Sequence, residues 1–200
     1  MVSPQAPGIP DDAFSRGSAP MSKMEIRAVT TAKARIACDS RVLEVGAGTG
    51  ALTVDAALAC PSGSVVAVER DAEALELLRH NVGRLAPGNV TVVAGEAPDV
   101  FEQVKGGFDA VLIGGSGGRL TNIVTSLPSM LAPGARVVVN TIGLASTAAT
   151  LEVLGRAPWA DLDCVQLNVS RAERIGLDLR FVPLNPVWVT SATLGEEATR

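Results

Sequence analysis

Apolar residues in this chain follow two rhythms. From Arg41 onward, short aliphatic runs alternate with stretches in which apolar positions recur at helical spacing. The runs at 41–45, 64–68, 90–93, 108–113 and 135–140 read as strands. The periodic stretches at 50–60, 72–86, 97–104, 119–131 and 144–156 read as the helices between them. The strands are nearly continuous in apolar character rather than alternating, as in a parallel sheet covered by helices on both faces. Two further strands, 162–169 and 180–190, follow with no helix between them. They are joined by the polar segment 170–178, so they are expected to pair antiparallel. Ahead of the sheet, Ser22-Lys23-Met24-Glu25 has capping-box spacing. It predicts a helix over 22–37 with Met24, Ala28, Val29, Ala32 and Ile36 facing inward. Residues 1–21, rich in proline, glycine and serine, read as an arm over the surface, and 22–200 as one α/β domain with a mostly parallel seven-stranded sheet.

Composition narrows the function classes. At 200 residues with 47% hydrophobic and 19% charged positions, the chain fills one core and lacks the signature of disorder. Aromatics are 3% and tyrosine is absent, which disfavours a base-stacking surface, and a net charge of −4 argues against nucleic acid as a partner. No apolar run approaches the length of a membrane span, and the N-terminus has no secretory pattern. Cys38, Cys60 and Cys164 are too widely spaced for a metal motif and read as small buried or half-buried thiols in a reducing cytoplasm. His80 is the only histidine, which removes most metal sites and Ser-His-Asp triads; it falls on the polar side of its helix. Trp159 and Trp188 read as structural.

The chemistry lies where glycines cluster. The first strand runs into Gly46-Ala47-Gly48-Thr49-Gly50 with a helix directly behind it. Glycines at such a junction allow a tight turn and a close approach of ligand to backbone. About 20 residues on, the second strand ends at Glu69, where a carboxylate can accept hydrogen bonds from the hydroxyls of a ribose. A nucleoside-bearing cofactor across the sheet edge follows. Gly46-x-Gly48-x-x-Ala51 also satisfies the relaxed dinucleotide fingerprint, so NAD is a candidate. The pattern Glu44-x-Gly46-x-Gly48-x-Gly50 and the antiparallel ending point instead to S-adenosyl-L-methionine, and the arrangement resembles the class I methyltransferase fold, which is Rossmann-like.

Further segments are more specific. They are Gly8-Ile9-Pro10-Asp11-Asp12-Ala13-Phe14, the first helix from Met21 to Thr30, Gly95-Glu96-Ala97-Pro98, Gly114-Gly115-Ser116-Gly117-Gly118, Asn168-Val169-Ser170-Arg171 and Leu184-Asn185-Pro186-Val187. In this order they resemble the decarboxylating precorrin-6Y C5,15-methyltransferase family of cobalamin biosynthesis, in its C15-methylating part, over roughly residues 8–190. Ser22 stands where threonine is usual, Glu44 where aspartate is common, and Arg171-Ala172-Glu173-Arg174 where relatives are more uniformly basic.

The resemblance implies C15 methylation of precorrin-6B or cobalt-precorrin-6B coupled to loss of the ring C acetate carboxyl. It implies S-adenosyl-L-methionine held by Thr30, Glu44, Gly46, Ala47, Gly48, Thr49, Gly50, Glu69, Arg70, Gly95, Glu96 and Ala97. An anionic tetrapyrrole calls for local positive charge, which Lys23, Arg27, Lys33 and Arg35 on the first helix, with Arg119, Arg171 and Arg174, are candidates to supply. Gly114, Gly115, Ser116, Gly117 and Gly118 are expected to floor the macrocycle, with Asn140 and Thr141 nearby. Neither a metal nor a covalent nucleophile is required, because the methyl sulfonium is already electrophilic and the conjugated macrocycle can accept electrons. A homotetramer and a partner protein for C5 methylation are also implied. Two alternatives stand beside this reading: a class I methyltransferase for tRNA adenine or a protein isoaspartyl carboxyl, and a non-catalytic nucleoside-cofactor-binding assembly module.

Overall fold

The computed structural model describes residues 7–18 and 20–195. Residues 1–6 and 19 of the expected arm and 196–200 of the expected domain lie outside the described residues. Five parallel strands form the frame: β1 (Arg41–Val45), β2 (Ser64–Glu69), β3 (Val90–Ala94), β4 (Phe108–Ile113) and β5 (Leu131–Thr141). The helices are α1 (Met24–Ala34), α2 (Ala51–Ala59), α3 (Ala72–Leu85), α4 (Leu120–Ser126) and α5 (Leu144–Leu154). The chain ends with β6 (Trp159–Leu167), β7 (Ser170–Ile175), β8 (Asp178–Pro183) and β9 (Val187–Leu194).

The seven-stranded sheet has the order β3-β2-β1-β4-β5-β9-β6, and β7 with β8 forms a separate two-stranded sheet. β9 runs antiparallel to both of its neighbours, β5 and β6. Continuous aliphatic strands are explained by burial on both faces. Leu43, Val45, Val111, Ile113, Val137 and Val139 pack with Ile123 and Val124 of α4 and Leu154 of α5. The alternate residues Val42, Ala110, Leu112 and Val138 pack with Ala34 of α1 and Leu52, Ala56 and Ala57 of α2. The strand order reverses between β1 and β4, and open α/β sheets bind ligands at the carboxyl ends of the strands flanking such a reversal.

Several expected elements differ. The helix expected over 97–104 is a single 3₁₀ turn at Phe101–Gln103, since Pro98 lacks a donor and Gly106-Gly107 follows before nucleation is repaid. The helix expected to reach 131 stops at Ser126, and Pro128 opens a 3₁₀ turn instead. Leu131 belongs to β5, where it pairs with Phe108 ahead of an irregularity that restores the register at Arg136. The expected antiparallel pair forms, as β6 with β9, but its polar connection folds into the β7–β8 hairpin. The 180–190 run is broken between Pro183 and Val187, because Pro186 has no amide for a ladder.

α1 departs most. It ends at Ala34, because Arg35 takes a left-handed conformation at φ 52°. Its buried residues are Ile26, Arg27, Thr30 and Ala34, whereas Ala28 and Ala32 face solvent. The expected Ser22 cap is absent: the free amide of Met24 donates to Asp11 Oδ1 at 2.9 Å, and Glu25 pairs with Arg171. The arm segment docks through Ile9 and Phe14, both 4% exposed, against Ala51 and Val54 of α2.

Candidate active site

A cavity of about 470 Å³ opens at the sheet reversal, within the roughly 300–1,000 Å³ range of small-molecule sites. The ends of β1, β2 and β4 supply its walls through Gly46, Gly48, Glu69, Arg70, Gly114 and Gly115. Gly46 (φ 69°) and Gly48 (φ 55°) occupy left-handed backbone that side-chain-bearing residues avoid. The amides of Gly46 and Ala47 donate to the Val68 carbonyl at 2.9 and 3.1 Å, which locks the loop to β2. A Cβ at Gly46 would lie 2.2 Å from the Gly115 carbonyl oxygen, so the glycine segments after β1 and β4 touch backbone to backbone.

Glu69 organises the second strand end. Its Oε2 accepts from the Gly48 amide at 2.8 Å, and Oε1 accepts from the Arg70 and Asp71 amides at 2.8 and 2.9 Å. A carboxylate has about four acceptor positions, so roughly one is left for a ligand rather than the pair expected for two ribose hydroxyls. Gly95, Glu96 and Ala97 complete that side, and the Gly95 amide donates to the Glu69 carbonyl at 2.8 Å. Arg70 Nη1 donates to Glu96 Oε1 at 2.5 Å, and its guanidinium lies over Gly117, where any Cβ would come within 2.8 Å.

A second cavity of about 180 Å³ adjoins the first, with Gly114, Gly115 and Ser116 lining both. Its other walls include Leu120, Val139, Asn140, Thr141, Ile142 and Ser146. The Asn140 amide nitrogen donates to Thr30 Oγ1 at 2.9 Å, and the hydroxyls of Thr141 and Thr147 are 2.7 Å apart.

A family model described as a precorrin methyltransferase domain matches residues 12–193. The chain belongs to the precorrin methyltransferase domain family. This methyltransferase domain is 38% identical over 191 residues to the cobalt-precorrin-6B C(15)-methyltransferase (decarboxylating) of Salmonella typhimurium, covering 95% of this chain and 98% of the relative. The crystal structure of precorrin-6y C5,15-methyltransferase from Geobacter metallireducens superposes with TM-score 0.88 at 30% identity, over 93% of this chain and 97% of that one. The precorrin 8w decarboxylase structure from Methanobacterium thermoautotrophicum gives TM-score 0.86 at 30% identity, over 92% and 98%. The family and fold imply S-adenosyl-L-methionine as cofactor, and the glycine cradle, the remaining Glu69 acceptor position and the cavity volume fit it.

Not every residue expected at the cofactor of this precorrin methyltransferase domain reaches the cavity. Glu44 is 1% exposed and accepts from Thr53 Oγ1 at 2.5 Å, away from the opening. Burial, opposed by that hydrogen bond and reinforced by Glu69 and Asp55, pushes its carboxyl up to about 8, so it is protonated at neutral pH. Ala47 packs on Ala67, Leu75 and Leu78, and a Cβ at Gly50 would strike Leu78. Thr49 turns its carbonyl to Asn81, and Thr30 is buried beneath Asn140. Gly118 lines neither cavity.

The expected anion-binding side chains are largely committed elsewhere. Arg27 is fully buried: Nε donates to Asp55 at 2.7 Å and Nη1 to Asp11 at 2.7 Å, with a further bond to the Ile9 carbonyl. Two carboxylates stabilise the guanidinium inside the fold, which removes it from a substrate surface. Arg171 pairs with Asp11 and Glu25 at 2.9 and 2.8 Å, Lys33 pairs with Asp163, and Arg119 makes a bidentate pair with Asp99. Lys23 is half-buried at the N-cap of α1 and has no ion pair among the described residues. No cluster of metal-ligating side chains occurs among the described residues.

Sequence reasoning missed Ser18 and Pro20, arm residues that line the larger cavity, with Ser18 held by Glu73 through its amide at 3.1 Å and its hydroxyl at 2.9 Å. It also missed Asn81, whose buried amide joins three elements. Oδ1 accepts from Ser15 at 2.8 Å, while Nδ2 donates to the carbonyls of Ser15 and Thr49 at 3.0 and 2.9 Å. A signal existed, because Asn81 sits three residues beyond Leu78 on the apolar stripe of α3, where a polar side chain needs a buried partner.

Proposed function

We propose that this chain transfers a methyl group from S-adenosyl-L-methionine to C15 of precorrin-6B or its cobalt form, with decarboxylation of the ring C acetate, in cobalamin biosynthesis. The observation that carries the reading is the near full-length likeness to a C15-methyltransferase named as decarboxylating. When bound, the cofactor supplies an electrophilic methyl group. The chain's own part is alignment. Gly46 and Gly48 admit the cofactor to the backbone, Glu69 accepts a hydroxyl, and Glu96 and Ala97 border the base side with Arg70. Gly114 to Ser116 form a wall without bulky side chains, across which the substrate carbon meets the donor. Holding two reactants in near-attack geometry supplies about 7–11 kcal/mol of a barrier. Of the other residues expected at the substrate, Asn140 borders the smaller cavity and Lys23 is without an ion pair among the described residues, so these two belong to the substrate side in this reading. Gly117 instead borders the larger cavity, Gly118 borders neither, and Arg171 is held by Asp11 and Glu25.

The arm, 1–21, and the domain, 22–200, act together, since Ser18 and Pro20 border the same cavity. The chain works in the cytoplasm, a reading supported by three free thiols, of which Cys60 is buried and Cys164 half-buried as expected while Cys38 is exposed; no helix among the described residues is long and apolar enough to cross a membrane. It assembles as a homotetramer, which the apolar residues exposed on the β7–β8 hairpin support. Incubation with methyl-labelled S-adenosyl-L-methionine and either form of precorrin-6B tests the activity. Label is expected on the corrinoid, and transfer to neither form would overturn the reading. Calorimetry showing NAD binding without S-adenosyl-L-methionine binding would overturn the cofactor assignment.

A further inference from the structure

The smaller cavity, at about 180 Å³, is too small for a complete ligand of drug size, which needs roughly 300 Å³ or more. It can take the edge of a macrocycle, and the rest of such a ligand must lie on its lip. That lip is the turn from β5 into α5. Ile142, which lines the cavity, is 69% exposed, and Leu144, the first residue of α5, is 75% exposed. Exposed aliphatic side chains beside a cleft mark ligand-binding surfaces more than isolated surface positions do. The other strongly exposed apolar group is on the β7–β8 hairpin, at Ile175, Leu177, Leu179 and Phe181, a separate sheet.

Charge can carry only part of the recognition: of the seven basic residues expected to meet the substrate, only Lys23, Arg35 and Arg174 make no ion pair among the described residues. Arg27, Arg171, Lys33 and Arg119 are each bound to carboxylates of the chain, and the net charge is −4. Aromatic residues are 3% of the chain, so an apolar contact to a flat conjugated ring falls to aliphatic side chains. The smaller cavity also shares Gly114, Gly115 and Ser116 with the larger one, so whatever edge enters it faces the methyl donor across a wall with little side-chain bulk.

From this juxtaposition we infer that Ile142 and Leu144 seat an apolar face of the tetrapyrrole substrate and hold its reacting edge in the smaller cavity. The inference rests on the C15-methyltransferase reading. Its test is the double variant Ile142→Ser/Leu144→Ser, assayed by turnover of precorrin-6B, calorimetry with S-adenosyl-L-methionine, and light scattering for mass. The seat requires at least a tenfold rise in KM for precorrin-6B, with cofactor affinity and mass within twofold of the parent chain. The conservative pair Ile142→Leu/Leu144→Met should restore the parent KM. An unchanged KM in the serine variant overturns the seat, and an altered mass with unchanged KM shows that the pair covers another copy of this chain instead. Joint loss of cofactor binding makes the role structural and overturns it as well. Absence of turnover in the parent chain strikes the C15-methyltransferase reading itself, whereas normal parent turnover with an unaffected variant strikes the seat alone.

Discussion

Asn81 and Glu44 are both buried polar residues, and each has a consequence that can be measured. Removing the Asn81 side chain leaves the Ser15 amide and the carbonyls of Ser15 and Thr49 without their partner. Unsatisfied buried groups cost about 1–3 kcal/mol each, so Asn81→Ala is expected to lower stability by a few kcal/mol in denaturant titration. It should also weaken S-adenosyl-L-methionine several-fold by calorimetry, because the cofactor loop and the arm lose a shared anchor. Glu44 acts through protons. Its carboxyl is raised from 4.5 to about 8 by burial, so the folded chain binds a proton that the unfolded chain has released between those values. The stabilisation is complete below about 4.5 and is lost as pH rises through about 8. Glu44→Gln keeps the acceptor for Thr53 and has no proton to lose. Unfolding free energies of that variant should be flatter across this window and higher than the parent's near pH 8; parallel curves would contradict the assignment.

At the scale of elements, the network around Arg27 joins the arm, α1 and α2 through Asp11 and Asp55. Truncating one partner of a buried pair leaves uncompensated charge, at a cost of about 3–5 kcal/mol. Arg27→Ala is therefore expected to lose that much by chemical denaturation, with the arm becoming accessible to protease. Double neutralisation with Asp55→Asn should recover part of it. Arg27 also shows what could be read in advance. Strands β1 to β5 were legible because burial on both faces leaves nearly uninterrupted aliphatic runs, and the loop from Gly46 to Gly50 was legible because few uses need glycines at that spacing. α1 was not, because a charged residue in the pattern reads as outward and two alanines as inward, and sequence spacing decides neither when the partner carboxylates are 16 and 28 residues away. The β7–β8 hairpin was hidden for a different reason: its first strand is mostly polar and reads as a connection over 170–178, and Phe181 and Val182 of its second merge with the run read over 180–190.

For the whole molecule, the exposed hairpin is the surface on which the proposed self-association would rest. Leu177 and Phe181 are 102% and 72% exposed, a state that a second copy of the chain would relieve. If the proposed tetramer forms, Leu177→Asp/Phe181→Asp is expected to reduce the mass measured by light scattering to a smaller species; a parent chain that is monomeric would contradict the proposed assembly, and a variant mass equal to a tetrameric parent's would move the interface elsewhere. In the proposed reading, the larger cavity, the glycine wall and the smaller cavity serve to align two bound molecules, and the chain contributes little acid–base chemistry of its own. Mass spectrometry of the product formed from precorrin-6B and S-adenosyl-L-methionine tests this most directly. The account predicts a product that has gained one methyl group in place of hydrogen and lost one CO2. A methylated product that retains every carboxyl group, or no methylated product at all, would contradict it.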